Sequence, residues 1–200
     1  MRNPVTVLKG TVKILQRDIQ DKQAINRLET YALRIEKYIE VMSSILKLEQ
    51  TPVKIKPCKC NLLHSELTYT VKLFAPKLNC GVTVPDSETI NIDYDIFMNV
   101  AENLINNAAQ FAEKNLEVIM ELNDEFLSLT VTDDGCGYSS ELLKNGPKPF
   151  GKQSENTEHF GMGLYGCKIL CQKHGGMLVL KNMENQGASA TALFKTNKKS

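Results

Sequence analysis

The sequence predicts an α+β protein in two parts, a helical hairpin followed by an α/β sandwich in which one layer of helices lies on a mixed sheet. Three observations predict it. The first fifty residues carry apolar positions at heptad spacing, a break follows at Thr51-Pro52 and Pro57, and beyond it short strand-like runs alternate with segments of helical period. With 42% hydrophobic residues among 200, the chain can bury an ordinary core in one or two domains.

In the hairpin, Val5, Leu8, Val12, Leu15 and Ile19 form one stripe, and Leu28, Tyr31, Ile35, Tyr38, Met42 and Ile45 form another. Steps of three and four put each stripe on one seam of a helix. Pro4 suits a first helical turn, and Asp21 with its polar neighbours supplies the connection. Val7, Ile14, Ile39 and Leu46 fall off these seams. A second copy would cover them, which gives a homodimer joined through a four-helix bundle. The alternative is a hairpin folded back on its own chain. Residues 1–51 are assigned to the dimerisation hairpin and 52–200 to the second domain.

In that second domain strands are expected at 81–84, 89–92, 116–122, 127–132, 177–181 and 188–194, with helices at 62–74, 96–111 and 164–174. Residues 138–160 show no sustained period and are punctuated by Gly146, Pro147, Pro149 and Gly151, the pattern of a lid or binding loop. Residues 195–200 read as a frayed tail.

Lys and Arg total 24 against 23 Asp and Glu, so no overall basic field argues for nucleic acid as a partner. The longest apolar runs fall short of the roughly 20 residues that a membrane span needs, and the N-terminus lacks the order of a signal peptide. Six cysteines are scattered through patterned segments and read as reduced thiols. Cys58 with Cys60, or Cys167 and Cys171 with His174, offer zinc-ligating groups. Cys167 and Cys171 fit the buried side of a helix equally well, and the cysteines are treated as core.

Three features point to chemistry. Asn103 and Asn107 are four apart, so on a helix both carboxamides face one way and can offer oxygens to a hard cation such as Mg2+; a solvated or capping pair is the alternative. Asp133-Asp-Gly-Cys-Gly137 follows a strand, where Asp133 can accept a hydrogen bond from an exocyclic amine and the glycines let the backbone approach a base; a plain Asp-Gly turn would read the same way. Gly161-Met-Gly163 opens a helix and would aim free backbone N–H groups at phosphates, unless it is only a hinge.

In this order and at these separations the sequence resembles the sensor histidine kinases, whose catalytic domain has the Bergerat ATP-binding fold shared with gyrase-type ATPases and Hsp90. Asn103-Leu-Ile-Asn-Asn107-Ala resembles their N box, Asp133-Asp-Gly-Cys-Gly137 the G1 box, Phe150 the F box and Gly161-Met-Gly-Leu164 the G2 box. Gly175-Gly176 and Gly187 sit where that fold's closing hairpin turns. The resemblance implies ATP and Mg2+ as cofactors. By it, Asn107 holds Mg2+ with Asn103 assisting, Asp133 binds the adenine amine, and Gly161 and Gly163 line the phosphates; Gly135, Gly137, Phe150 and Leu164 complete the ATP-binding set.

Arg2-Asn3-Pro4-Val5-Thr6 is similar to the stretch just after the phosphoacceptor in the H box, His-Glu-Leu-Arg-x-Pro. Met1 then falls on the Leu, and the acceptor histidine is expected two residues before it. None of His64, His159 and His174 follows the pattern, so the chain is expected to bind ATP without autophosphorylating. Two positions depart from the family: Gln110 stands where a Lys or Arg is frequent, with Lys152 or Lys114 as substitutes, and Tyr165 replaces a Gly of the G2 box.

The resemblance implies a protein-histidine kinase that feeds the receiver domain of a response regulator, as the cytoplasmic portion of a membrane-anchored parent. Any membrane contact would run through segments outside this chain. A gyrase-like or chaperone-like ATPase needs a Glu four residues before the metal-binding Asn, and Asn103 stands there; an amide cannot activate water near neutral pH. A nucleotide-sensing pseudokinase or scaffold is the non-enzymatic reading, kept open by Gln110. Anti-sigma serine kinases share the ATP fold but generally lack a dimerisation hairpin.

Overall fold

The computed structural model describes residues 52–123, 125–148 and 163–196, together with scattered positions between 28 and 50. The chain divides into two compact units, 1–47 and 48–200. In the first, every described position is helical. Ala32 is buried there, whereas Leu28, Ile35, Ile39 and Leu46 are exposed on this single chain. The stripe from Val5 to Ile19, together with Val7, Ile14, Tyr31, Tyr38 and Ile45, lies outside the described residues.

The second unit runs β1 (Lys56–Lys59), α1 (Cys60–Phe74), β2 (Asn79–Thr83), β3 (Thr89–Ile92), α2 (Tyr94–Phe111), β4 (Asn115–Leu122), β5 (Phe126–Asp133), α3 (Ser140–Asn145), α4 (Gly163–Lys173), β6 (Leu178–Asn182) and β7 (Ala188–Lys195). Five strands form a mixed sheet in the order β2-β4-β5-β7-β6, in which only the β2–β4 pair is parallel. The antiparallel pair β1–β3 forms a separate small sheet. Together with the helices packed on it, this is the mixed α+β architecture that the sequence predicts.

Alternation explains the strands. Leu116, Val118 and Met120 of β4 and Leu127, Leu129 and Val131 of β5 are buried while their neighbours are not. Period 3.6 explains α2, which buries Ile96, Phe97, Val100, Ala101, Leu104, Ile105 and Ala108. Each of the larger side chains among these, Ile, Phe, Val and Leu, stabilises the fold by about 2 kcal/mol. Phe97 of α2 meets Phe194 of β7 with ring centroids 5.4 Å apart and tilted, which ties the helical layer to the sheet. Cys58, Cys60, Cys167 and Cys171 are buried members of this core.

Two elements differ from the sequence expectation. Pro57, read as part of the break, lies within β1, a short strand of which only Cys58 is buried. Residues 138–160 were expected to be without secondary structure, yet α3 falls inside them. It buries no residue and so leaves no apolar period; its caps define it, Ser139 accepting from Leu142 N–H at 3.2 Å and Gly146 ending it at φ 69°.

Candidate functional site

The site is built where the central strand β5 runs out. Its inward alternation continues to Asp133, which is buried at the edge of the core although it is an acid. One carboxylate oxygen accepts from Gly135 N–H at 2.9 Å, and the backbone N–H of Ala188 also bonds to the carboxylate. Burial pushes the Asp133 carboxyl above the usual carboxylate range and neighbouring Asp134 adds to this, while the two N–H groups oppose it.

Three elements close on this turn, and glycine makes each approach possible. A Cβ on Gly135 would stand 2.0 Å from the carbonyl oxygen of Phe111, the last residue of α2. A Cβ on Gly187 would stand 1.9 Å from the carbonyl oxygen of Asp133. Gly137 has φ 78° and lies against the Asn182 carboxamide. That carboxamide accepts from Tyr138 N–H at 2.7 Å and donates to the Tyr138 carbonyl at 3.0 Å.

Asn103 and Asn107 lie on α2, both half-buried. The Asn103 amide nitrogen donates to the Asn99 carbonyl at 2.8 Å and to the Asn99 side-chain oxygen at 3.2 Å. Its own Oδ1 is therefore the atom left to face α4, and a Cβ on Gly163 would meet it at 3.2 Å. The first residue of α4 thus abuts Asn103. Packing between the helices sets this, with Gly166, Cys167 and Leu170 of α4 buried and the Cys167 thiol donating to the Val100 carbonyl at 3.8 Å. The carboxamide oxygens of Asn103 and Asn107 are hard donors on one helix face, a set that suits Mg2+.

The structure therefore brings Asn103 and Gly163 together, sets the turn of Asp133 and Gly135 against the C-terminal end of the helix that carries Asn103 and Asn107, and places Gly137 against Asn182 of β6 instead. Leu164 and Tyr165 are half-buried in the first turn of α4. Gln110 is exposed and bonds weakly to the Asn106 side chain at 3.4 Å. Phe150, Gly161, Lys152 and His159 lie outside the described residues. Asn182, Ala188 and Asp134 escaped the sequence reading, since each acts through a contact between segments far apart in the chain. Among the described residues no helix is long and apolar enough to cross a membrane.

Residues 92–198 match the family model of the histidine kinase-, DNA gyrase B-, and HSP90-like ATPases. The chain is 24% identical over 184 residues to the sensor histidine kinase CpxA of Escherichia coli K12, which covers 88% of this chain and 40% of CpxA. It is 23% identical over 189 residues to the sensor histidine kinase CssS of Bacillus subtilis 168, covering 91% of this chain and 42% of CssS. Among solved structures, full-length ShkA in complex with AMPPNP superposes with a TM-score of 0.68 at 17% identity, over 99% of this chain and 44% of that one. The chain thus spans about two fifths of the length of these curated relatives.

Proposed function

The chain belongs to the histidine kinase-, DNA gyrase B-, and HSP90-like ATPase family, and from that membership we propose that it binds ATP with Mg2+ as the catalytic part of a two-component sensor histidine kinase. In this reading the whole protein transfers the γ-phosphoryl group to a histidine and then to the receiver domain of a response regulator. It works as a homodimer joined through the N-terminal hairpin, on the cytoplasmic side of a membrane to which its parent is anchored. The similarity to sensor histidine kinases such as CpxA and CssS supports it.

The observations that support the proposal are that Gly163, the first residue of an eleven-residue helix, abuts Asn103, and that the turn bearing the buried Asp133 closes on Phe111 at the end of the helix carrying Asn103 and Asn107. The Asp133 carboxylate is an acceptor in a dry setting and suits an exocyclic amine of adenine. The carboxamide oxygens of Asn107 and Asn103 would hold Mg2+, which when bound offsets triphosphate charge. Gly163 opens α4, whose first N–H groups and positive end favour phosphate. Positioning and charge neutralisation of this kind supply most of what phosphoryl transfer requires.

Hydrolysis is the weaker reading, because Asn103 offers no base to activate water. Of the three histidines, His174 is buried in the core and His64 lies on α1. None follows the phosphoacceptor pattern, so these residues alone bind nucleotide without autophosphorylating.

Calorimetric titration with ADP and a non-hydrolysable ATP analogue, with and without Mg2+, tests the reading alongside Asp133→Asn and Asn107→Ala. Binding strengthened by Mg2+ is expected, with Asp133→Asn weakening it roughly a hundredfold and Asn107→Ala removing the Mg2+ effect. No binding at millimolar nucleotide would sink it in favour of a scaffold.

A further inference from the structure

Asp134, the neighbour of the base-reading carboxylate, is turned away from it and towards the connection between α2 and β4. One carboxylate oxygen accepts from Glu113 N–H at 2.9 Å and Lys114 N–H at 3.0 Å. The other accepts from Asn115 N–H at 3.1 Å and from the Asn115 side-chain amide at 2.8 Å. Three consecutive backbone donors thus converge on one side chain, and they begin two residues past the end of α2. On the other side of Asp134, Gly135 lies so close to the Phe111 carbonyl that no side chain fits. Asp133, Asp134 and Gly135 are consecutive, so whatever fixes Asp134 also fixes where Asp133 stands relative to Asn107, one helical turn before Phe111.

We infer that Asp134 is a positioning residue for nucleotide binding, a clasp that locks the turn bearing Asp133 onto the end of the helix bearing Asn103 and Asn107. The inference rests on the nucleotide-binding reading of those residues. The two groups meet opposite ends of one ligand, and their separation must be held within a fraction of an ångström for both to engage at once. Neither end achieves this alone: the turn is short and glycine-containing, and the α2–β4 connection is exposed. Four charge-assisted hydrogen bonds to one carboxylate fix the connection and the turn in a single frame. The same bonds, those of Lys114 and Asn115 foremost, hold the Asp134 carboxyl well below the usual carboxylate range, so the clasp is fully ionised near neutral pH.

The test compares wild type with Asp134→Ala and Asp134→Asn. Asparagine keeps the oxygen that faces Glu113 and Lys114 and loses the acceptor that faces Asn115, so it is expected to fall between the other two. With Mg2+ present, the ADP dissociation constant is expected to rise roughly tenfold in the alanine variant and about threefold in the asparagine variant. Amide hydrogen exchange supplies a readout that does not need nucleotide. Exchange at Glu113, Lys114, Asn115 and Gly135 should speed up in Asp134→Ala, while Ile96 at the far end of α2 keeps its protection. Unchanged exchange at those four amides, ADP binding within twofold of wild type for the alanine variant, or an asparagine variant no better than alanine would each overturn the assignment. Failure of wild type to bind ADP would instead refute the nucleotide reading, and the positioning role with it, even if the exchange data confirm the clasp.

Discussion

Helix α2 is gripped by an aspartate at each end, and the two grips are built differently. At the N-terminal end Asp93 is buried; it accepts from Ile96 N–H at 3.1 Å as a helix cap and from Lys54 N–H at 2.6 Å, while its own N–H donates to His174 Nε2 at 3.1 Å. At the C-terminal end Asp134 is half-buried and lies beyond the helix, reaching back to the three N–H groups that follow it. The first grip belongs to the core and ties together the start of α2, the end of α4 and the chain entering the domain. The second belongs to the proposed site. If the proposed site is right, one helix carries a stabilising grip at its start and the proposed chemistry further along, and changes at the two ends should separate the two properties.

The largest effect is expected from Gly135→Ala. Its Cβ would need the space of the Phe111 carbonyl oxygen, and because that atom is backbone, the turn or the helix end must move. Overpacking of this severity costs about 3 kcal/mol. Denaturant unfolding should show that loss, and calorimetry should show nucleotide binding abolished with it. If Gly135→Ala binds ADP normally, the close approach has no bearing on the site.

Asp93→Ala is the counterpart at the other end, with a smaller cost and a different signature. It removes a cap and leaves Lys54 N–H without its acceptor, together about 2 kcal/mol or a melting temperature lower by roughly 6 °C. Nucleotide affinity at a temperature where the variant is folded should stay within twofold of wild type. A tenfold loss of affinity would show that the two ends are not separable.

The sequence discloses the two ends unequally. Asp133, Gly135 and Gly137 are legible because a strand followed by an acid and alternating glycines has a local physical meaning, and Asn103 and Asn107 because four residues make a helical turn. Asp134 reads as an ordinary turn acid, since its partners lie about twenty residues away and reach it only once β4 and β5 pair, Leu116 opposite Asp133. Gly187 reads as a hairpin turn; that it also makes room for the Asp133 carbonyl depends on β7 lying beside β5. His174 reads as one member of a thiol and imidazole group, whereas in the fold it is a hydrogen-bond acceptor for the start of α2. Periodicity reports the large elements well, and it misses β1 and α3 because one buries a single residue and the other none.

The smallest expected effect concerns that histidine and follows from the sign of its titration. Burial lowers the pKa of His174 below the ordinary value of about 6.5, against the opposing influence of nearby backbone groups and of the Asp93 carboxylate. Its ring stands edge-on to Phe194 at 5.5 Å, and Nε2 accepts the Asp93 N–H, so protonation would set a donor against a donor. Below about pH 6.5 the unfolded chain takes up a proton that the folded one refuses, and stability falls by at most about 1.4 kcal/mol per pH unit until the folded-state pKa is reached. Above pH 7 the effect vanishes. Carboxylates titrate lower and could blur the profile, so the comparison is with His174→Gln, whose side-chain oxygen can accept the same N–H and does not ionise. Urea unfolding between pH 5 and 7.5 should show a sloping wild-type curve and a flatter one for the variant. Parallel curves would mean that His174 takes up its proton at the same pH in the folded and unfolded chain, so that burial and the Asp93 N–H do not hold it neutral.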